Sequence, residues 1–315
     1  MTGALDWLWG PCAPSAAAVQ QRTVTRRGRT LRMDVIDVLR ADPELHLRVR
    51  AQMLEIQSST FATARHAGAD EASGAARLAS YVEDALDTTT HGWFNTAVMF
   101  FDGDRPVGCV HAFVGLVNVA GRRVEIIHTS SNVLPQFQCL GLTVVGFTRA
   151  ALLYARRHLF APHPRFNLQL NMSPVTYYFT HRRARCVYPS HRNNAPESMR
   201  ALYRELCPAT PHGTAVEERV GSRLEGRTRE WITTSTDPAI RFYLRHNPRF
   251  EEGFGLPVLV RLETADFVHA LWTSARLALT KLRSSRSRHS RTDAHASVVL
   301  PTQGASHGHP SCTRR

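Results

Sequence analysis

The chain contains no CxxC pair, no HExxH segment, no internal repeat and no apolar run approaching the roughly 18 residues of a membrane-spanning helix. Its six cysteines, Cys12, Cys109, Cys139, Cys186, Cys207 and Cys312, follow no regular spacing, which argues against a zinc site and against a disulfide framework. Sixteen histidines are many for 315 residues, yet they show no ligand spacing, and His307 and His309 stand in a polar stretch. No metal is expected. Residues Met1 to Ala18, despite Trp7, Trp9 and Pro11, lack the positive start and continuous apolar segment of a secretory leader. These absences leave a cytoplasmic protein without a membrane span as the expectation. An apolar share of 43% over this length is enough to bury a core.

What the chain has in excess is positive charge, formally +13. Its distribution says more than its sum. Arg22, Arg26, Arg27, Arg29 and Arg32 face only Asp6 in the first 32 residues, and Lys281, Arg283, Arg286, Arg288, Arg291, Arg314 and Arg315 face only Asp293 at the other end. The stretch between is nearly balanced. Residues 1 to 30 therefore read as a disordered basic segment, and residues 283 to 315, rich in Ser, Arg, His, Thr and Gly, as a disordered basic tail. Nucleic-acid binding is expected only as a non-specific property of these flanks.

Between the flanks the pattern is mixed. Met33 to Leu39 alternates as a first strand, Asp42-Pro43-Glu44 opens a helix, and Glu71 to Leu86 reads as another. Thr96 to Phe101, Val107 to Val117 and Val124 to Val133 form an antiparallel meander through turns at Asp102-Gly103-Asp104-Arg105 and Asn118 to Arg122. Leu142 to about His158 is a helix, Phe166 to Leu170 a short strand, and Ser173-Pro174 a helix start before Tyr177 and Tyr178. Residues 187 to 226 read as a loop-rich section, Trp231 to Thr234 as a strand, Asp237-Pro238 as a helix start, Leu256 to Leu262 as a buried strand and Ala265 to Leu282 as a last helix.

One joint carries chemistry. The third meander strand runs into Val133-Leu134-Pro135-Gln136-Phe137-Gln138-Cys139-Leu140-Gly141-Leu142-Thr143 and then directly into a helix. A glycine turn opening a helix leaves backbone N–H groups unpaired at the positive end of the helix dipole, where a phosphate binds. A nucleotide or acyl-CoA site is the generic reading.

In its order of elements and in Val133-x-Pro135, Gln138-x-x-Gly141-x-Thr143, and Asn171 followed seven residues later by Tyr178, the stretch 33 to 185 resembles the GNAT superfamily of acyl-CoA-dependent N-acyltransferases. Thr143 stands where that turn usually ends in Gly or Ala, Cys139 where Gly is frequent, and His181-Arg182-Arg183 where Gly-Phe usually follows the Tyr helix. The resemblance implies an α+β fold with a central, mostly antiparallel twisted sheet flanked by helices. The domain would run from 31 to 282, with a C-terminal extension from about 190 that shapes the acceptor site. It also implies acetyl-CoA or another acyl-CoA as cosubstrate and a small-molecule or peptide amine as acceptor. Cofactor contacts would come from Ser131, Asn132 and Val133 along the pantetheine arm and from Gln138, Cys139, Leu140, Gly141, Leu142 and Thr143 at the pyrophosphate. Tyr178, with Tyr177 as substitute, would be the acid that protonates the leaving thiolate. Glu125 and His128 are the candidate bases, and their opposite strand parity lets only one face the cleft. The alternative is a GNAT-like module that binds CoA or senses a ligand without turnover.

Overall fold

Three helices begin where an acidic or hydroxyl side chain precedes proline. In the computed structural model, Asp42 caps helix α1 (Pro43–Phe61) by accepting from Leu45 N at 2.8 Å. Ser173 caps α4 (Pro174–Arg183), and Asp237 caps α7 (Pro238–His246). In all three, proline occupies the first helical position, where its missing N–H leaves no bond unmade. The structure describes residues 17–61, 71–87, 93–119, 121–158, 163–207, 216–217, 226–252 and 254–266, all within the first of the chain's two units, Met1–His269. The tail and nearly all of the expected last helix lie outside the described residues.

Among the described residues nine strands form one sheet. They are β1 (Val19–Arg26), β2 (Arg29–Asp37), β3 (Asn95–Asp102), β4 (Arg105–Val119), β5 (Arg122–Val133), β6 (Arg165–Asn171), β7 (Val187–Tyr188), β8 (Val216–Glu217) and β9 (Phe254–Arg261). The order is β1-β2-β3-β4-β5-β6-β9-β7, with β8 also on β9. The neighbours pair antiparallel except β5 and β6, whose parallel pairing needs the crossover helix α3 (Leu142–His158). The remaining helices are α2 (Glu71–Leu86), α5 (Glu197–Leu206) and α6 (Gly226–Thr234). This is the mixed α/β architecture, a mostly antiparallel sheet flanked by helices, that the resemblance implied.

Helices cover both faces. Gly146 of α3 lies so close to β4 that a Cβ there would meet Val110 Cγ2 at 2.5 Å, so only glycine seats the helix at this depth. The end of α2 is tied to the opposite face, where Asn95 Nδ2 donates to Ala85 O at 2.9 Å. On that same face α5 packs Met199, Leu202 and Tyr203 on Val124 and Ile126 of β5. Beyond β6, α4 and α7 pack together through Tyr177, Ala239 and Tyr243 over Val258 and Val260 of β9.

The structure corrects three expectations. Residues 19–30 belong to a hairpin rather than to a disordered segment: β1 pairs with β2 through a tight turn in which Arg27 and Gly28 both have positive φ, 49° and 78°. That is the backbone of a two-residue primed turn, whose usual Asn or Asp is here Arg. Trp231 to Thr234 is the end of α6, not a strand. The Ile-Thr-Thr run looks β-like, but in the helix Thr233 and Thr234 bond back to the carbonyls of Arg229 and Glu230. The section 187 to 226 includes α5, whose buried Met199, Leu202 and Tyr203 recur at helical spacing.

Candidate active site

β5 and β6 stay in register only from Glu125↔Arg165 to His128↔Leu168. Beyond that point the parallel strands separate, although β5 continues against β4 to Val133 and β6 continues against β9 to Asn171. Glu125 N donates to Pro164 O at 2.9 Å, which turns the peptide groups of Glu125, Ile127, Thr129 and Ser131 toward β6 by strand alternation. Ser131 thus presents its N–H and C=O to the gap between strands.

The gap is propped by side chains. Asn167 Nδ2 donates to Ile127 O at 2.7 Å and to Thr129 Oγ1 at 3.1 Å, so an amide side chain stands at the end of the backbone ladder. Gln169 Nε2 donates in turn to Asn167 Oδ1, and Thr180 of α4 donates to Gln169 Oε1 at 2.9 Å. At the end of the row Asn171 is fully buried, its backbone O receives the Tyr243 hydroxyl at 2.8 Å, and neither atom of its side-chain amide has a partner. A buried amide with both ends unsatisfied calls for a ligand or water.

The mouth of the gap is the turn before α3. Pro135–Leu140 is a 3-10 turn, Gly141 follows in the left-handed region at φ 72°, and Gln138 Nε2 closes the turn by donating to Val133 O at 3.2 Å. A Cβ on Gly141 would meet nothing within 4 Å, so it is the backbone angle, not space, that asks for glycine. Val144 and Val145 donate to Gly141 O at 3.1 and 3.3 Å. Among the described residues no backbone acceptor is shown for the Leu142 and Thr143 N–H groups at the helix start, while the 3-10 turn draws on the N–H groups before them. Leu142 buries its side chain in the core while Thr143 stays half-buried. The side chain of Cys139 lies outside what the structure describes.

The candidate bases separate as their parity requires. Glu125 is fully buried toward α3, where Oε2 accepts the Tyr154 hydroxyl at 2.6 Å. Burial, the bond to Glu125 and its charge raise the Tyr154 pKa, while Arg165 lowers it. Glu125, Tyr154 and Arg165 form a buried cluster in which Glu125 Oε1 has no hydrogen-bond partner. His128 lies on the other face, half-buried, with its ring stacked on Phe113 at 4.8 Å and 12°, at the last paired position before the gap.

The two tyrosines also divide. Tyr177 is fully buried, donates to Pro189 O at 3.0 Å and packs on Phe242 and Tyr243, which pushes its pKa up through desolvation. Tyr178 is half-buried on the outward side of α4, accepts from Arg182 Nη1 and meets Trp231 edge-on at 5.4 Å. The α4 side chain that bonds to β6 is Thr180. Sequence reasoning missed the relay of Asn167, Gln169 and Thr180, although β6 reads Arg165-Phe166-Asn167-Leu168-Gln169-Leu170-Asn171, a polar residue at every second position of an interior strand. Among the described residues no group of three or more His, Cys, Asp or Glu is placed to hold a metal, and no helix is long and apolar enough to cross a membrane. Burial pushes the Cys109 thiol up to about 12, which makes it a packing residue rather than a nucleophile.

The described sheet is mixed, and its one parallel junction opens beside a helix N-terminus. No protein-family model matches the chain, and no curated protein does. Among solved structures it is similar to a conserved protein of unknown function from Enterococcus faecalis named as a probable N-acyltransferase, at 13% identity and a TM-score of 0.30, over 50% of this chain and 32% of that one. It is also similar to RimL, a ribosomal L7/L12 alpha-N-protein acetyltransferase, at 10% identity and a TM-score of 0.31, over 52% of this chain and 79% of that one. The chain thus spans about a third of the first protein's length. The functional reading rests on the site's own geometry.

Proposed function

We propose that the chain is an acyl-CoA-dependent N-acyltransferase acting on a small-molecule or peptide amine in the cytoplasm. The observation that carries the reading is the split between β5 and β6, with a free strand edge at Ser131, a helix N-terminus at its mouth and the unsatisfied Asn171 amide at the end of β6. An extended chain of amides ending in a pyrophosphate has the groups such a slot asks for. Leu142 and Thr143 N–H would hold the pyrophosphate, the Ser131 edge and neighbouring Asn132 and Val133 would flank the arm, and Asn171 fits an amide or carbonyl. A bound acyl-CoA supplies a thioester carbon that an amine nitrogen attacks while sulfur departs as thiolate. His128, at the last rung before the gap, takes the proton the amine sheds. Glu125, closed in with Tyr154, holds the crossover together instead.

The second reading, CoA binding without turnover, is favoured by the outward position of Tyr178, which leaves its hydroxyl with Arg182 rather than at the gap. Two measurements separate the possibilities. A thermal shift with CoA and acetyl-CoA is expected, and it should vanish in Gly141→Asp, which sets a carboxylate beside the phosphate cradle in open space. No shift at millimolar ligand would overturn both readings. Release of CoA thiol from acetyl-CoA in the presence of an amine then distinguishes the enzyme from the binding module.

A further inference from the structure

The outer side of α4 and the adjoining end of α6 carry an arrangement that acyl transfer does not use. Phe179 is 47% exposed and Trp231 41%, high for rings of this size, and Tyr178 joins them edge-on with centroids 5.4 Å from each. The Arg182 guanidinium lies 5.3 Å from the Tyr178 ring and that of Arg183 lies 5.6 Å from the Phe179 ring. Neither they nor Arg185 forms an ion pair among the described residues, and the nearby Glu251 is taken by Arg229 at 3.2 Å. Arg183 is also half-buried, and desolvation lowers its pKa. A guanidinium withdrawn from water without a carboxylate is a standing cost that an anion relieves.

From this face we infer a binding site for single-stranded nucleic acid, with bases stacked on Phe179 and Trp231 and phosphates on Arg182, Arg183 and Arg185. Exposed rings interleaved with guanidinium groups that have no carboxylate partner among the described residues match the two parts of a single strand, flat bases and a charged backbone. An acidic peptide would answer the arginines but would leave the rings exposed. All of the 39 basic side chains except Lys281 are arginine, so positive charge here comes in the planar form that stacks as well as pairs. The excess of +13 over the whole chain draws any polyanion toward the protein, and the rings decide what stays.

Fluorescence anisotropy of the full chain with a labelled twelve-residue oligothymidylate tests this, with inorganic polyphosphate and poly-glutamate as competitors. Phe179→Ala and Trp231→Ala are each expected to weaken oligonucleotide binding about 5- to 150-fold while leaving polyphosphate affinity unchanged. Arg182→Gln should weaken both and reduce the salt dependence. Ring variants that bind the oligonucleotide like the parent chain would overturn the inference. So would poly-glutamate competing better than the oligonucleotide, which would assign the face to an acidic protein. Because both rings are exposed, the variants should keep the parent melting temperature; if the pair together unfolds, the single variants and Arg182→Gln give the same reading.

Discussion

From Glu125 to His128, β5 has a neighbour on each side, while from Thr129 to Val133 it has β4 alone. The paired half buries a carboxylate completely and gives one of its oxygens the Tyr154 hydroxyl, with Oε1 left without a hydrogen bond; the open half leaves peptide edges facing a gap and ends near an amide with a partner at neither end. The same strand thus passes from a stretch enclosed by two neighbours to one with an open edge. The difference teaches where to place function. A buried polar group anchored by a neighbouring side chain contributes structure, whereas an amide bonded at neither end, beside an open strand edge, has room for a ligand.

Breaking the closed half should have the largest effect. Glu125→Ala leaves Arg165 and the Tyr154 hydroxyl buried beside an empty site, and the expected loss is about 3–5 kcal/mol by chemical denaturation. Glu125→Gln keeps an acceptor for Tyr154 and should lose less. If Glu125 were instead the catalytic base, either variant would melt like the parent chain and lose turnover alone.

The wall behind the open half offers the next test. His181 of α4 is 1% exposed, neither ring nitrogen has a partner, and its ring packs on Tyr177 and His191, each 4.8 Å away. The groups facing it are the Tyr177 ring from its own helix and His191 and Arg192 from the segment after β7. Desolvation, then His191 and Arg192, hold its pKa down at about 3, against an ordinary 6.5. The unfolded chain therefore binds a proton that the folded chain refuses, so this contribution to stability is complete above pH 6.5 and is lost as pH falls toward 3. At pH 4 the loss is about 3 kcal/mol. Melting curves of the parent chain and of His181→Phe should diverge in their pH dependence over that window; parallel curves would show that His181 carries no such burden.

Much of this was legible in the sequence, and the exceptions have physical reasons. Proline after Asp42, Ser173 and Asp237 announced three helix starts because capping chemistry is local. The glycine turn at Gly141 was legible because a positive φ favours glycine whatever surrounds it. The hairpin of β1 was not, since an edge strand buries little beyond Val24 and its polar residues resemble those of a solvated arm. Nor could strand parity alone say which of Glu125 and His128 faces the gap. That depends on which face α3 covers, and the crossover is a tertiary fact. Tyr178 was placed by family spacing, while the helix turns it outward because Tyr177 and His181 occupy the inward positions.

The prop between the two halves gives a smaller effect. Asn167→Ala removes the donor to Ile127 O and Thr129 Oγ1 and strands Gln169, for an expected loss of about 1–3 kcal/mol. Its sharper consequence is on ligand. With the prop gone the strands are free to extend their ladder past His128↔Leu168, and the CoA-induced thermal shift should fall by more than the stability does. A shift equal to that of the parent chain would mean that the gap does not depend on Asn167.

Least of all should stability notice His128. It is half-buried and its ring stacks on Phe113, a contact that another planar side chain partly preserves, so His128→Gln is expected to change stability far less than Glu125→Ala does. Turnover should fall about 10²- to 10⁴-fold, the range lost with a general base, while the CoA thermal shift persists. Raising pH should not restore it, because glutamine has no proton to lose in this range. The pairing of Glu125→Gln with His128→Gln is therefore the decisive form of the comparison. One substitution lies on each face of the same strand, three residues apart, and stability is expected to follow the first and chemistry the second. If chemistry instead followed Glu125, the gap would have to be entered from the α3 side, and the Tyr154 hydroxyl, not the Phe113 stack, would border the reacting carbon.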